Sequence, residues 1–168
     1  MPPHHGALAR ERIGCAILTV SDTRTEQDDA SGHLIRTLLE IAGHPIRCYA
    51  IVPDEPVAIH SAVSGAVERD DVLALIVTGG TGIAPRDVTV DSVADLWTRE
   101  LPGFGELFRA LSFAEIGPTA LLSRATAGVM AGKFVALLPG STVACRLALE
   151  RLIVPVLGHV TALLGAER

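Results

Sequence analysis

The chain has 168 residues, of which 49% are hydrophobic and 20% are charged, so it is long and apolar enough for one domain with a sizeable core. Its net charge of −5 argues against a general nucleic-acid-binding protein, which needs a basic face. The three cysteines are far apart, which argues against a disulfide framework or a zinc motif and favours free thiols in a reducing cytoplasm.

The N-terminal segment and the apolar runs bear on targeting. Residues 1–12 contain prolines and histidines but no apolar core, so we expect a flexible tail there rather than a signal peptide. No continuous apolar run reaches the roughly 18 residues of a membrane span, and no membrane association is expected. Residues 13–168 lack repeats and low-complexity linkers, which predicts a single domain.

The first half of the chain alternates apolar runs with amphipathic segments. A continuous apolar run such as Ile13 to Val20 is typical of a buried parallel strand. Asp29 or Ser31 can cap the helix that follows it, and Gly43 can end that helix. This half is predicted to form strands over 13–20 and 46–52 and helices over 29–42 and 56–69.

The second half continues the alternation less regularly. Residues 121–129 fit neither pattern clearly, and Pro155 is expected to kink or split the last helix. The predicted elements are strands over 72–77 and 133–138 and helices over 90–100, 104–116 and 142–164.

This order predicts an α/β fold with three layers, in which a mostly parallel sheet carries helices on both faces. Loops that follow parallel strands gather at the carboxyl edge of the sheet, where open α/β proteins bind ligands. The loops expected at that edge are 21–24, 53–55, 78–87 and 138–142.

One of these loops is rich in glycine and follows the third strand: Thr78, Gly79, Gly80, Thr81 and Gly82. Glycine permits positive φ angles and close approach of a ligand, so bare N–H groups can cradle a phosphate, and the two threonine hydroxyls can add bonds. The loop matches neither the Walker A nor the GxGxxG pattern. The alternative is a tight strand-to-helix turn that needs glycine and binds nothing.

Two carboxylates follow predicted strands at the same edge. Asp87 lies beside the glycine loop, and a carboxylate next to a phosphate cradle indicates a divalent cation, usually Mg²⁺. Asp54 follows the second strand and could instead cap the next helix. Such loops suit phosphoryl or nucleotidyl transfer, which depends mainly on positioning and charge neutralisation.

Other polar residues near this edge leave alternatives open. Ser21 and Asp22 belong to a polar turn after the first strand, and we expect them to contact the ligand. Ser123 and Arg124 are either a turn or part of the site. Glu106 could form a simple surface pair with Arg109, three residues further along a helix.

Several ordered motifs resemble the MogA/MoaB family of molybdopterin adenylyltransferases, which act in molybdenum cofactor biosynthesis. The resemblance extends from about Ile13 to Leu164, and two further stretches, LSFAEIG at 111–117 and PGSTVACR at 139–146, are closer to the MoaB branch. The motifs are TVSDTR at 19–24, DASG at 29–32, VPDE at 52–55, TGGTG…RDVT at 78–89, PGFGELFR at 102–109, LSR at 122–124 and LPGS at 138–141.

The resemblance implies a molybdopterin-binding fold and a reaction in which molybdopterin and ATP give adenylylated molybdopterin and pyrophosphate with Mg²⁺. It implies that Asp54 and Asp87 are essential for catalysis and metal binding. It further implies contacts with the pterin or the nucleotide from the TGGTG loop and from Ser123, Pro139, Gly140 and Ser141.

The resemblance also implies assembly into a homo-oligomer, with a hexamer built as a dimer of trimers favoured over a trimer. Because some MoaB-branch proteins lack the two aspartates, their presence here favours an active enzyme. The alternative is a non-catalytic molybdopterin-binding or carrier protein of the same fold.

Overall fold

The computed structural model describes residues 12–165, so the tail expected at residues 1–12 lies almost wholly outside the described residues. Six strands among the described residues form one sheet in the order β2-β1-β3-β6-β5-β4. They are β1 Cys15–Val20, β2 Ile46–Val52, β3 Ala74–Thr78, β4 Arg99–Glu100, β5 Thr126–Met130 and β6 Lys133–Leu138.

The first four strands in that order run parallel, whereas β5 is antiparallel to β6 and β4 is antiparallel to β5. The strands β1, β3 and β6 are buried along their whole length and mostly apolar, as expected for strands covered on both faces. The prediction of a mostly parallel sheet is therefore confirmed.

Helices cover both faces of this sheet and divide the core into two parts. One face packs against α1, α4, α5 and α6, and the other packs against α2 and the short α3. The predicted three-layer α/β architecture is thus confirmed. The helices are α1 Ala30–Ile41, α2 Pro56–Glu68, α3 Thr89–Ser92, α4 Pro102–Ile116, α5 Thr142–Ala148 and α6 Val154–Gly165.

The ends of α1 follow from its sequence. Asp29 is the N-cap, and its carboxylate accepts a hydrogen bond of 2.9 Å from the Gly32 N–H. Beyond the C-terminus, Gly43 takes a φ of 86°, a conformation that glycine adopts without strain. Of the two predicted caps, the structure therefore selects Asp29 rather than Ser31.

The predicted helix over 90–100 is wrong. Only Thr89–Ser92 is α-helical; a 3₁₀ turn follows at Ala94–Leu96, and the chain then forms β4. The physical reason is the open edge of β5: the Thr98 N–H donates to the Val129 carbonyl, and the Leu101 N–H donates to the Ala127 carbonyl. These bonds to the sheet replace the hydrogen bonds that a continued helix would make.

Two other irregular regions were only partly anticipated. The unassigned stretch 121–129 contains the end of a 3₁₀ helix, Gly117–Leu122, and most of β5, which forms a hairpin with β6. The effect expected of Pro155 is confirmed in a specific form: a π-helical turn, Leu149–Ile153, separates α5 from α6. The wider turn accommodates a residue that cannot donate a backbone hydrogen bond.

The combined segment Thr142–Gly165 has 24 residues and a mean hydropathy of 1.6 in its most apolar window, so by length and composition alone it could cross a membrane. Charged residues interrupt this segment, so it contains no continuous apolar run as long as a membrane span. A single helix of this kind is weak evidence, because core helices of soluble proteins meet the same criterion. Here Leu149, Ile153 and Leu157 are buried against the sheet.

Burial of His44 predicts a pH dependence of stability. Its side chain is buried, its Nδ1 accepts a hydrogen bond of 3.3 Å from the Ile13 N–H, and burial lowers the pKa of its imidazole. A lowered folded-state pKa means that the unfolded chain binds the proton first, so stability is complete above about pH 6.5 and falls as the pH decreases. The slope from this one group is at most about 1.4 kcal/mol per pH unit.

The variant His44→Asn keeps an acceptor for the Ile13 N–H but does not titrate. We expect its Tm to depend less on pH between pH 5 and 7 than that of the wild type, as measured by thermal unfolding monitored by circular dichroism. Equal slopes in the two proteins would show that His44 does not contribute to the pH dependence.

Candidate functional site

The glycine loop begins where β3 ends and adopts a conformation that only glycine tolerates. Gly79 and Gly80 have φ angles of 105° and 66°. A β-carbon at Gly79 would lie 2.2 Å from the Val20 carbonyl oxygen, and one at Gly80 would lie 2.3 Å from the Thr89 hydroxyl oxygen. Both glycines are therefore required by the turn itself.

Thr89 holds this loop in place through two hydrogen bonds. Its hydroxyl donates to the Gly79 carbonyl at 2.8 Å, and its backbone N–H donates to the Gly80 carbonyl at 3.0 Å. Among residues 12–165, no acceptor pairs with the backbone N–H groups of Gly80, Thr81 or Gly82. The loop thus combines fixed carbonyl groups with N–H groups that remain available to an anion.

Asp54 and Asp22 join the loops after β1 and β2. The Asp22 N–H donates to an Asp54 carboxylate oxygen at 3.1 Å, and the Asp54 N–H donates to an Asp22 carboxylate oxygen at 3.0 Å. Asp54 is not a helix cap: the N-cap of α2 is Glu55, which makes no capping bond through its side chain. The alternative interpretation of Asp54 is therefore wrong.

The two carboxylates have opposite electrostatic surroundings. Burial raises the pKa of Asp54, and the negative charges of Asp22 and Asp87 raise it further. The Asp54 N–H and the Arg86 guanidinium instead lower the pKa of Asp22. Arg86 pairs with Asp22 and, at 3.5 Å, with Glu55, so its charge partly offsets this acidic group.

Asp87 is held by a backbone N–H group of its own loop. Its carboxylate accepts a hydrogen bond of 2.8 Å from the Ala84 N–H. A β-carbon at Gly82 would lie 2.6 Å from the same oxygen, so glycine is needed there to admit the carboxylate. Asp54 lies beside the same loop, because a β-carbon at Gly80 would be 3.4 Å from one of its carboxylate oxygens.

A cavity of about 400 Å³ adjoins the glycine loop. It lies between the ends of β1, β3 and β6 and the first residues of α1 and α5. Ser31 closes one side, because its hydroxyl donates to the Gly140 carbonyl at 2.7 Å. Other polar or backbone groups that line the cavity belong to Ser21, Arg24, Gly79 and Ser141.

Several predicted ligand-contacting hydroxyl groups also have structural roles. The Thr78 hydroxyl donates to the Pro139 carbonyl at 2.9 Å, and Thr81 is buried. The Ser141 hydroxyl caps α5 by accepting from the Ala144 N–H, and the Ser21 hydroxyl accepts from the Arg24 N–H. Thr78 joins the glycine loop to the segment at Pro139 rather than directing its proton into the cavity.

Ser123 lies near the glycine loop because the next residue, Arg124, is hydrogen-bonded to that loop. The Arg124 N–H donates to the Thr81 carbonyl at 2.9 Å, and the Ser123 hydroxyl accepts from the Ala125 N–H. Arg109 does not form the expected pair with Glu106, but donates to the Ser123 and Ala125 carbonyls. Of the two interpretations of the 123–124 segment, the structure supports a place beside the site.

Two residues make contacts at this edge that were not predicted from the sequence, which indicated Asp29 only as a helix cap. Asp29 is only 2% exposed, and its carboxylate accepts from the Thr19 hydroxyl and, at 2.6 Å, from the Tyr49 hydroxyl. Burial and the bond to Asp29 raise the pKa of Tyr49. The second residue is Arg86, which directly precedes Asp87 in the sequence and pairs with Asp22. Its positive charge among motifs that carry acidic residues was the sequence feature that could have indicated this pair.

The carboxylates can hold a divalent cation only in combination with other donors. Within the described part of the chain, no group of three or more His, Cys, Asp or Glu side chains is placed to bind a metal. Mg²⁺, however, is usually held by one or two carboxylates together with substrate phosphates and water. Asp54 and Asp87, beside a loop that can receive phosphates, fit this kind of site.

Comparison with known proteins identifies the family. A family model described as "Probable molybdopterin binding domain" matches residues 16–159. Molybdenum cofactor biosynthesis protein B of Halalkalibacterium halodurans is 52% identical over 157 residues, which cover 93% of this chain and 92% of that protein.

Solved structures agree with this result. A crystal structure of a molybdenum cofactor biosynthesis protein B has a TM-score of 0.90 and 47% identity, and the match covers 94% of this chain and 98% of the other. The tungsten cofactor synthesizing protein MoaB from Pyrococcus furiosus has a TM-score of 0.82 and 37% identity over 90% of this chain and 96% of its own. The chain therefore belongs to the molybdopterin-binding-domain family, with the MoaB proteins as relatives, and acts in molybdenum cofactor biosynthesis.

Proposed function

We propose that this protein is a Mg²⁺-dependent molybdopterin adenylyltransferase, which transfers AMP from ATP to molybdopterin and releases pyrophosphate. The observation that carries the proposal is the position of Asp54 beside Gly80 and of Asp87 beside Gly82, in a glycine loop whose N–H groups are available to phosphate oxygens. The adjoining cavity of about 400 Å³ offers room for part of a substrate.

In the proposed reaction, a terminal phosphate oxygen of molybdopterin attacks the α-phosphorus of ATP. A new phosphorus–oxygen bond forms, the bond between the α-phosphorus and the bridging oxygen breaks, and pyrophosphate leaves with the electron pair. Because the attacking phosphate is already anionic at neutral pH, alignment and charge neutralisation matter more than a strong general base.

The residues of this chain divide that work. The N–H groups of Gly80 and Gly82 bind and orient phosphate oxygens, as backbone nests do in other proteins. The Arg86 guanidinium, which already faces two carboxylates, balances negative charge at the same edge. Asp54 and Asp87 would hold Mg²⁺, which would supply neutralisation of the negative charge on the phosphates.

A non-catalytic molybdopterin-binding or carrier protein is the second candidate. The Thr78 hydroxyl favours it in one respect, since this hydroxyl donates its proton to the Pro139 carbonyl rather than to a ligand. The retained carboxylates favour the enzyme, because crowding of like charges is costly unless a cation relieves it. The cytoplasm remains the predicted compartment for either candidate.

The variant Asp87→Ala should separate the two candidates. We expect adenylyl transfer to fall by about 10²–10⁴-fold with the fold retained, because the lost carboxylate lies on a loop. The measurement is pyrophosphate release from Mg·ATP with molybdopterin, and Asp71→Ala, at the opposite end of β3, serves as the control.

Each result of this assay has a definite meaning. Release by the wild type and Asp71→Ala but not by Asp87→Ala supports the enzyme. Molybdopterin binding without release in all three proteins supports the carrier and overturns adenylyl transfer. Unfolding of Asp87→Ala alone would indicate that this carboxylate serves the loop structure.

We also propose that the protein assembles as a homo-hexamer, a dimer of trimers. Phe113, Ile116 and Leu121 on α4 and the following 3₁₀ helix are 59%, 55% and 80% exposed, and Leu122 beside them is also exposed. Clusters of exposed large apolar side chains are typical of protein contact surfaces. A second copy of this chain is the partner that the proposal requires.

The variant Leu121→Glu should weaken assembly, because it places a charge in an apolar interface. We expect light scattering after size-exclusion chromatography to give a mass near six times 17.6 kDa for the wild type and a smaller mass for the variant. Val57→Glu, on the opposite face of the sheet, is the control. A wild-type mass of one subunit would contradict the proposal.

A further inference from the structure

Arg124 donates three hydrogen bonds to the segment 81–87, which contains the end of the glycine loop and Asp87. Its backbone N–H donates to the Thr81 carbonyl at 2.9 Å, and its Nε donates to the Gly82 carbonyl at 2.9 Å. Its Nη2 reaches across to the Asp87 carbonyl at 2.8 Å. The guanidinium therefore joins Gly82 to Asp87, and the backbone N–H holds Thr81.

Asp91 holds the guanidinium in this orientation. Its two carboxylate oxygens accept from Nη1 at 3.1 Å and from Nη2 at 2.9 Å, which is a two-pronged ion pair. A planar guanidinium can form this pair and still direct Nε and a second N–H toward carbonyl groups, whereas a lysine ammonium cannot reproduce the fork.

We propose that Arg124 is a positioning residue that keeps Asp87 and the glycine loop in the geometry needed for cation and nucleotide binding, with Asp91 orienting its guanidinium. This inference rests on the function proposed above. Without the guanidinium, the Gly82 and Asp87 carbonyls would lose the donor that they share. Only the Ala84 N–H would then hold the Asp87 carboxylate, so the position of that carboxylate would be less tightly fixed. Small misplacements of a binding group can cost about 10²-fold in rate.

The surrounding contacts separate this role from general support of the fold. Arg109 binds the Ser123 and Ala125 carbonyls from α4, so the segment that carries Arg124 is anchored independently of its guanidinium. The Asp91 carboxylate is largely exposed, with a side-chain exposure of 68%, so this pair contributes little to stability. Loss of the guanidinium should therefore affect the glycine loop more than the core.

The test compares Arg124→Ala with Arg69→Ala, which removes a matched two-pronged pair with Asp71 before β3. Three quantities are measured: kcat and KM for Mg·ATP with molybdopterin, Mn²⁺ affinity by electron paramagnetic resonance with a non-hydrolysable ATP analogue, and Tm. For Arg124→Ala we expect kcat/KM to fall by about 10²-fold and Mn²⁺ affinity by about 10-fold, with a Tm change similar to that of Arg69→Ala.

Two further variants sharpen the assignment. Arg124→Lys should recover only part of the Mn²⁺ affinity, because it restores the charge but not the fork. Asp91→Asn should weaken Mn²⁺ binding in the wild-type background and have little further effect in Arg124→Ala. Additive effects of the two changes would overturn the orienting role of Asp91.

The outcomes distinguish this inference from the proposed function. If Arg124→Ala and Arg69→Ala change Mn²⁺ affinity and kcat/KM equally, the positioning role is overturned while adenylyl transfer by the wild type stands. If the wild type binds Mn²⁺ and the analogue but transfers no AMP, the proposed reaction is overturned, and Mn²⁺ affinity alone decides the role of Arg124. A wild type that binds no Mn²⁺ overturns both.

Discussion

The parallel pairing of β3 with β1 on one side and β6 on the other determines the arrangement of the whole site. In this register Thr78 lies opposite Thr19 and Leu138, so the three strands end at the same level of the sheet. The loops that follow them must therefore start side by side. A shift of one residue in β3 would turn its side chains to the opposite faces and remove the bond from the Thr78 hydroxyl to Pro139.

The loops at this edge bring like charges together, and hydrogen bonds to the backbone make that arrangement tolerable. Asp22 and Asp54 each accept an N–H of the other, and Arg86 supplies the nearest positive charge. The remaining electrostatic imbalance is expressed in the raised pKa of Asp54, for which burial is the main cause. A bound cation would relieve this imbalance, which is one reason for the nucleotidyl transfer proposed above.

Local signals predicted most of the fold, and long-range pairing accounts for what they missed. Asp29 was predicted as one of two candidate caps of α1, because its capping bond is made within three residues. The helix predicted over 90–100 failed because that segment completes the sheet edge beside β5, and this pairing leaves no periodic trace in the sequence. The interpretation of Asp54 as a cap failed for a related reason: its partner is Asp22, 32 positions away.

The sequence by itself determined the three-layer α/β class, the position of the glycine loop and the family, because each depends on apolar runs or on short ordered motifs. It also pointed to Asp54 and Asp87, which the structure places beside Gly80 and Gly82 of this loop. Only the tertiary structure decided that Asp54 pairs with Asp22 and that the Arg124 side chain joins Gly82 to Asp87. These contacts join segments that are distant along the chain, so their partners are set by the register of the sheet rather than by local sequence.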